Sequence, residues 1–328
     1  MKTTPFQMVL ARIHRWLLPG ALLVVLLGCS GDSGYKTVDF EDTIPAVSPD
    51  PRQTDDRHLR VAVAAMISPK ETLIYYRQLL AYLGGQLGYD TRLVQRRTYA
   101  EINELFPKKQ IELAFVCTGP YAMDRDRFGF EGLATPIIRE RPYYQSYLIV
   151  NKNSAFSSLE GLRGSRFAFT DPDSNTGSLV PHFWLNELSE RPASFFKSIS
   201  YTYSHDNSIM AVARSLVDAA AVDGHKWEYF NLRNPQHTAR TRVIKKSEPF
   251  GSPPLVAARS MAPALKHSIR KVLFSMHEDP DGKLILDELL IDRFEPPEDE
   301  WYEPVREMYR KIHFVDKADA QNPATQNP

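Results

Sequence analysis

The sequence predicts an α/β protein of two doubly wound lobes, joined by two crossover segments with a cleft between them. Three observations lead there. Short Val- and Ala-rich apolar runs of strand length alternate with stretches at helical spacing over residues 59–117, and again over 166–222. Each series reads β-α-β-α-β, the pattern of a mainly parallel sheet with helices on its faces. Two extended runs, 146–150 and 254–258, stand where a chain that builds one lobe and then another must cross and return.

In order, residues 59–66 form an apolar run suited to a buried parallel strand. A helix over 71–87 carries Leu73, Tyr76, Leu79, Leu80 and Leu83 on one face and ends at Gly88. Residues 91–95 are a strand, 99–106 a helix and 111–117 a third strand. The second series has strands at 166–170, 199–203 and 219–222 and helices at 176–188 and 208–216. The remainder, to about residue 312, reads mainly as helices that pack on the first lobe. The first lobe is therefore expected from 58–146 and 251–315, and the second from 147–250. Open α/β sheets bind ligands at the carboxyl ends of their strands, so the cleft is the expected site.

The ends carry an address. Lys2, Arg12 and Arg15 precede a nearly unbroken apolar run over 16–28 that is too short for a comfortable membrane span and is broken by Pro19 and Gly20. Residues 1–28 are thus expected to be a signal peptide. Leu26-Leu27-Gly28-Cys29 resembles a bacterial lipobox, which implies cleavage before Cys29 and acylation of that cysteine. The alternative is an ordinary cleaved signal peptide with a chance cysteine. Ser30 after the cysteine favours outer-membrane sorting in a host that has one. Residues 29–57 are polar and rich in Gly, Ser, Asp and Pro, as in a flexible tether, and 316–328 are expected to be disordered.

Losing Lys2, Arg12 and Arg15 with the leader leaves 37 basic residues against 40 acidic ones, so the mature chain has no basic field to collect nucleic acid. Any anion must be held by a local site. The only cysteines are Cys29 and Cys117. Cys117 ends an apolar run and reads as a core residue rather than a nucleophile.

The most informative segment is Ser174-Asn175-Thr176-Gly177, between a predicted strand and helix. It combines short neutral donors, a glycine that lets backbone approach closely, and the unpaired N–H groups of a helix start. That combination suits an anion with several oxygens. The competing reading is a plain N-cap, since Ser, Thr and Asn are favoured there anyway.

Other segments arrive in a fixed order. Gly119-Pro120-Tyr121-Ala122, the run over 159–170, Ser174-Asn175-Thr176-Gly177 with Pro181, and Ser204-His205-Asp206-Asn207-Ser208-Ile209 follow one another, then the runs over 217–223 and 252–256. Together they resemble the phosphate/phosphite/phosphonate-binding family of ABC-transporter periplasmic substrate-binding proteins, over most of residues 59–275. The resemblance implies the type II periplasmic-binding-protein fold and a ligand held by Ser174, Asn175, Thr176 and the N–H of Gly177, with His205 donating to another oxygen. It implies a hydroxyl from Tyr121 and one from Tyr75 or Tyr76, of which helical geometry lets only one face the cleft. Members that carry aminoalkyl phosphonates place acidic residues where this chain has His225 and Pro253. Phosphite, phosphate or a small alkyl phosphonate is therefore the expected ligand, and His225 a candidate wall residue.

The chain is expected to be a monomeric, lipid-anchored binding protein on the periplasmic side of a bacterial membrane, without a cofactor, delivering its ligand to an ABC permease. Presentation of the ligand to a membrane sensor is the alternative. Catalysis finds little support: Ser174 lacks a Gly-x-Ser-x-Gly elbow, and Asp206 directly follows His205, an awkward position for a triad. The nine histidines show no metal-ligand spacing.

Overall fold

The computed structural model describes residues 57–321 apart from 65, 67, 68 and 234. Residues 1–56, on which the expected signal peptide, Cys29 and nearly all of the expected tether fall, and residues 322–328 lie outside the described residues. Strand β1 (His58–Val63) leads into α1 (Pro69–Leu87), β2 (Asp90–Val94), α2 (Tyr99–Asn103) and β3 (Leu113–Phe115). Helix α2 opens on a capping box in which Thr98 and Glu101 each accept the other's backbone N–H. Then come α3 (Thr118–Phe128) and β4 (Phe130–Ile137).

The crossing is a short one. After β4, strand β5 (Tyr143–Tyr144) leads to β6 (Ser146–Asn151), β7 (Arg166–Phe169), a wide helical turn over Asn175–Leu179, and α4 (Val180–Glu187). Next are α5 (Pro192–Phe195), β8 (Ser198–Tyr201), α6 (His205–Ala213), β9 (Ala219–Asp223), α7 (Gly224–Arg233), α8 (Pro235–Thr238) and β10 (Thr241–Lys246). Strand β11 (Phe250–Gly251) brings the chain back to β12 (Leu255–Ala258), α9 (Pro263–Ser275), α10 (Pro280–Leu289), β13 (Arg293–Glu295) and α11 (Glu303–Gln321).

The first sheet has the order β13-β4-β12-β3-β1-β2 and the second β10-β6-β9-β7-β8. β1 pairs parallel with β2 and β3, and β7 pairs parallel with β8 and β9. The returning strands β12 and β6 run antiparallel to their neighbours. Between the sheets, β5 and β11 make an antiparallel ribbon that pairs Tyr144 with Phe250 and Tyr143 with Gly251. Residues 146–150, read from sequence as the crossing, lie inside the second sheet instead, between β10 and β9 with every side chain buried. The return segment 254–258 supplies β12 inside the first sheet, between β4 and β3.

The central strands are built from small residues. Ala219, Ala220 and Ala221 of β9 are all fully buried, as are Ala62, Ala114 and Ala257 in the first sheet. Small side chains let helices and turns pack close to the sheet. β7 and β9 are parallel neighbours, so their carboxyl ends lie side by side. Strand β4 was not foreseen because it contains Gly132 and Pro136, both poor strand formers. Gly132 is needed: a Cβ there would come within 2.4 Å of the Tyr121 hydroxyl.

Helices α9 and α10 pack on α1 in the first lobe. Helix α11 does not keep to that lobe; it packs on both α3 and α4, with Val305 and Met308 buried. It also runs to Gln321, into the stretch whose composition reads as a disordered tail. Lys317, Ala318, Ala320 and Gln321 are good helix formers and extend it.

Candidate functional site

The turn after β7 is the most heavily built part of the second lobe. Asp171 accepts the N–H of Asp173 on one carboxylate oxygen and that of Tyr99, from the other lobe, on the second. Ser174 caps the helical turn, its Oγ accepting Gly177 N–H at 3.0 Å. Gly177 in turn offers its carbonyl to Thr170 N–H at 3.0 Å, an approach close enough that a Cβ on residue 177 would meet Thr170 at 2.5 Å. From β6, Ser146 Oγ donates to the carbonyl of Thr176 at 2.7 Å. The turn is tied down on three sides, and Ser174, Asn175 and Thr176 are fully buried.

Two polar atoms of that turn remain unspent. Thr176 Oγ1 and Asn175 Oδ1 are buried without a hydrogen-bond partner in the protein. Asn175 Nδ2 donates to the Tyr144 hydroxyl at 3.1 Å. A half-turn of the carboxamide would let Oδ1 accept the Tyr144 O–H and free both amide protons for an anion. The hydroxyls of Ser252 and Tyr99 are also buried and unpartnered. Tyr99 lies in the combined field of Cys117, Asp171, Asp223 and Tyr144, and burial first, then that field, push its pKa well above the ordinary value. It stays a protonated donor. Buried polar groups are nearly always paired, so such a group calls for an explanation.

His205 opens α6 and is buried. Asp223 N–H donates to its Nδ1 at 3.1 Å. A backbone N–H can only donate, so Nδ1 carries the lone pair and the ring proton sits on the opposite edge, at Nε2. Thr170 Oγ1, itself bonded to Ala221 O and to Ser208 Oγ, lies 3.2 Å from the same Nδ1. Burial lowers the His205 pKa to about 4, so the ring is neutral at physiological pH. The second lobe thus carries both a neutral ring N–H donor and, on the turn after β7, an unpaired buried hydroxyl.

The first lobe meets this face directly. Met66 O accepts His205 N–H at 3.0 Å, and the Arg97 guanidinium lies over the Tyr203 ring, 5.0 Å from its centroid. Asn175 N–H points at Cys117 Sγ, 3.5 Å away. Next to these contacts lies a cavity of ≈ 50 Å³, lined in part by Met66, Tyr76, Phe115, Asp223, His225 and Ser252. Two of those wall residues, Met66 and Asp223, are the ones hydrogen-bonded to His205.

Not every residue named from sequence reaches this place. Tyr76 lines the cavity and packs on Phe115 with ring centroids 5.0 Å apart, while the Tyr75 side chain lies outside the described residues. His225 is on the cavity wall, half-buried, with its pKa lowered to about 4, first by burial and then by Lys226. Tyr121 is elsewhere: its ring packs edge-on against Tyr302 and its hydroxyl against Gly132 and Arg125. It lies in the first turn of α3, and the helical phase there points its ring at Tyr302 and Gly132 in the first lobe. The Gly177 N–H, assigned to the anion from sequence, is spent on Ser174 Oγ, since the N-cap takes it first. Tyr99, Tyr144, Thr170, Ser146, Ser208 and Ser252 were not singled out. Tyr99 opens the helix that follows β2, on the side of the sheet where ligands are expected; the others carry no local signal. Among the described residues no group of three His, Cys, Asp or Glu could hold a metal ion.

The chain is similar to known proteins over most of the described residues. The family described as "ABC transporter, phosphonate, periplasmic substrate-binding protein" matches residues 61–302. The phosphonates-binding periplasmic protein of Escherichia coli is 28% identical over 171 residues, 51% of this chain and 50% of that protein. The chain thus matches about half the length of that relative. PhnD1 of Prochlorococcus marinus, a probable ABC transporter phosphite-binding protein, is 27% identical over 223 residues, covering 60% of this chain and 75% of its own. Its structure in complex with methylphosphonate has a TM-score of 0.70 at 22% identity, over 78% of this chain and 98% of that one. A binding-protein component of the ABC phosphonate transporter of Pseudomonas aeruginosa has a TM-score of 0.76 at 24% identity, over 81% of this chain and 89% of its own. These relatives are binding proteins rather than enzymes, and the fold is the two-lobed type II periplasmic-binding-protein fold. With nearly three quarters of its length matched, the chain belongs to the family of phosphonate periplasmic substrate-binding proteins of ABC transporters.

Proposed function

We propose that this protein captures a small phosphorus oxyanion (phosphite, phosphate or a small alkyl phosphonate) between its lobes and hands it to an ABC permease. The lobes comprise residues 58–146 with 251–315, and 147–250. The observation that carries the proposal is an unspent buried hydroxyl, Thr176 Oγ1, in the same lobe as His205, whose ring is held neutral with its proton on Nε2. Both are fixed from behind, by Ser146 on the Thr176 carbonyl and by Asp223 and Thr170 on the imidazole. Neutral donors can solvate an anion strongly without a salt bridge, which keeps release feasible. Tyr99, Tyr76, Asn175 and Ser252 supply further polar edges. The protein works as a monomer, held to the membrane through acylated Cys29.

Calorimetric titration with phosphate, phosphite, methylphosphonate, aminoethylphosphonate, sulfate and carboxylates tests the reading. Saturable binding of one or more of the phosphorus oxyanions is expected. Absence of binding by all of them sinks it. Incorporation of labelled fatty acid, lost in Cys29→Ser, tests the anchor.

A further inference from the structure

The ≈ 50 Å³ cavity is walled mostly by apolar side chains, among them Met66, Phe115, Pro136, Leu289 and Ile291. Its wall also holds a carboxylate from Asp223 and an ammonium from Lys226. Both come from one short stretch: Asp223 ends β9 and Lys226 lies in the first turn of α7. Asp223 is only 2% exposed, and its Oδ1 accepts Lys226 N–H at 3.2 Å, which holds the carboxylate at the helix start. Burial acts to lower the Lys226 pKa, but the fields of Tyr76, Asp223 and Tyr229 outweigh it and raise it. The ammonium therefore stays charged. A second cavity, of ≈ 330 Å³, shares Ile138, His225, Lys226, Tyr229, Leu289 and Ile291 with the first. Lys226 thus lines both the inner cavity and the wider one, which adds Arg139, Glu228, Asp287 and Asp292; Glu228 is paired with Arg139 and Asp287 with Lys283.

We propose that Lys226 determines specificity: it is a tethered cation on the same cavity wall as Asp223 that turns away ligands bearing an ammonium of their own. The cavity is left to oxyanions with neutral, apolar substituents. This rests on the reading that the cleft binds phosphorus oxyanions. An incoming ammonium meets a like charge in a poorly solvated site, and the one carboxylate lining the ≈ 50 Å³ cavity, Asp223, already lies in the field of that cation. A methyl group meets apolar surface. Removing the cation leaves Asp223 a buried carboxylate without a counter-charge, which an ammonium on the ligand then supplies.

The test is calorimetric titration of the mature protein with methylphosphonate and with aminoethylphosphonate, for wild type, Lys226→Met and Lys226→Arg. Wild type is expected to favour methylphosphonate by about tenfold or more. Lys226→Met narrows or reverses that preference by about tenfold or more, and Lys226→Arg restores it. Lys226→Gln repeats the comparison where the methionine variant does not fold. An unchanged preference in a folded, neutral variant, or a wild type that favours aminoethylphosphonate, overturns this inference alone. Failure of wild type to bind any phosphorus oxyanion overturns the proposed function and this inference with it.

Discussion

Replacing Thr176 with valine keeps the shape of the side chain and removes its hydroxyl. That hydroxyl is fully buried and has no partner in the protein. A buried polar group left unpaired costs about 1–3 kcal/mol, so its removal is expected to stabilise the unliganded fold by about 1 kcal/mol or more. For a domain of this size that is a rise in melting temperature of about 2–4 °C. The same change should weaken the ligand. A hydrogen bond to a charged group contributes about 1.5–3 kcal/mol, or a factor of about ten to a hundred in affinity. At a ligand concentration a hundred times the wild-type Kd, wild type gains about 2.7 kcal/mol from binding. A variant weakened about a hundredfold gains only about 0.4 kcal/mol at that same concentration.

Thr176→Val is thus expected to melt above wild type in buffer and to lose most of its ligand-induced shift. Differential scanning calorimetry with and without methylphosphonate reads both quantities in one experiment. A variant that melts lower than wild type and keeps its full shift would refute the reasoning. In that case the hydroxyl has a structural task and no part in binding.

Three further outcomes are expected. His205→Ala should lose affinity by about tenfold to a hundredfold, and should also destabilise the fold by about 1–3 kcal/mol, because Asp223 N–H loses its acceptor; titration and melting measure the two separately, and unchanged affinity would remove His205 from the site. Gly177→Ala drives a Cβ to 2.5 Å from Thr170, so a loss of about 1–3 kcal/mol is expected by denaturant unfolding. The pH dependence has opposing parts. His205, lowered to about 4, refuses a proton that the unfolded chain accepts near 6.5, so its contribution costs about 2 kcal/mol by pH 5. Asp171, raised to about 6 chiefly by burial, accepts a proton that the unfolded chain does not yet hold, which returns about 1 kcal/mol at that pH. Asp171→Asn should therefore steepen the fall in melting temperature between pH 7 and pH 5, and an unsteepened profile would show that the carboxyl does not titrate there.

Much of this architecture was legible in the sequence because the strands that matter are short apolar runs. β1, β3, β7 and β9 all carry buried residues at nearly every position, and that pattern survives without tertiary context. What escaped was set by contacts between distant residues. Strand β4 looks like a loop because Gly132 and Pro136 are chosen by neighbours, one to make room for Tyr121 and the other to pair with Phe294 at the sheet's edge. Tyr121 was misplaced for a related reason: residues 118–128 form a helix, and the helical phase decides which way its ring points. The turn over 174–177 was visible as donors at a helix start, but local spacing does not say that Ser174 consumes the Gly177 N–H. Nor does it announce Tyr144 or Thr170, which lie about thirty and about four residues away and meet the turn or His205 only through the fold.

His205 also ties recognition to the meeting of the lobes. Its backbone N–H is bonded to Met66 in the first lobe, while its ring is held by Asp223 and Thr170 in the second. Asp171 does the same a few residues from the turn, with one oxygen on its own lobe and the other on Tyr99. Such contacts contribute only about 0.5–1.5 kcal/mol each, or somewhat more where the acceptor is charged. A handful of them leaves closure near balance against the freedom the lobes give up. A guest that adds bonds to Thr176 and to the first lobe at once then needs only a modest differential affinity to commit the pair. The same arithmetic limits how tightly the lobes can hold together unaided: contacts much stronger than these would close the cleft whether or not an anion was inside.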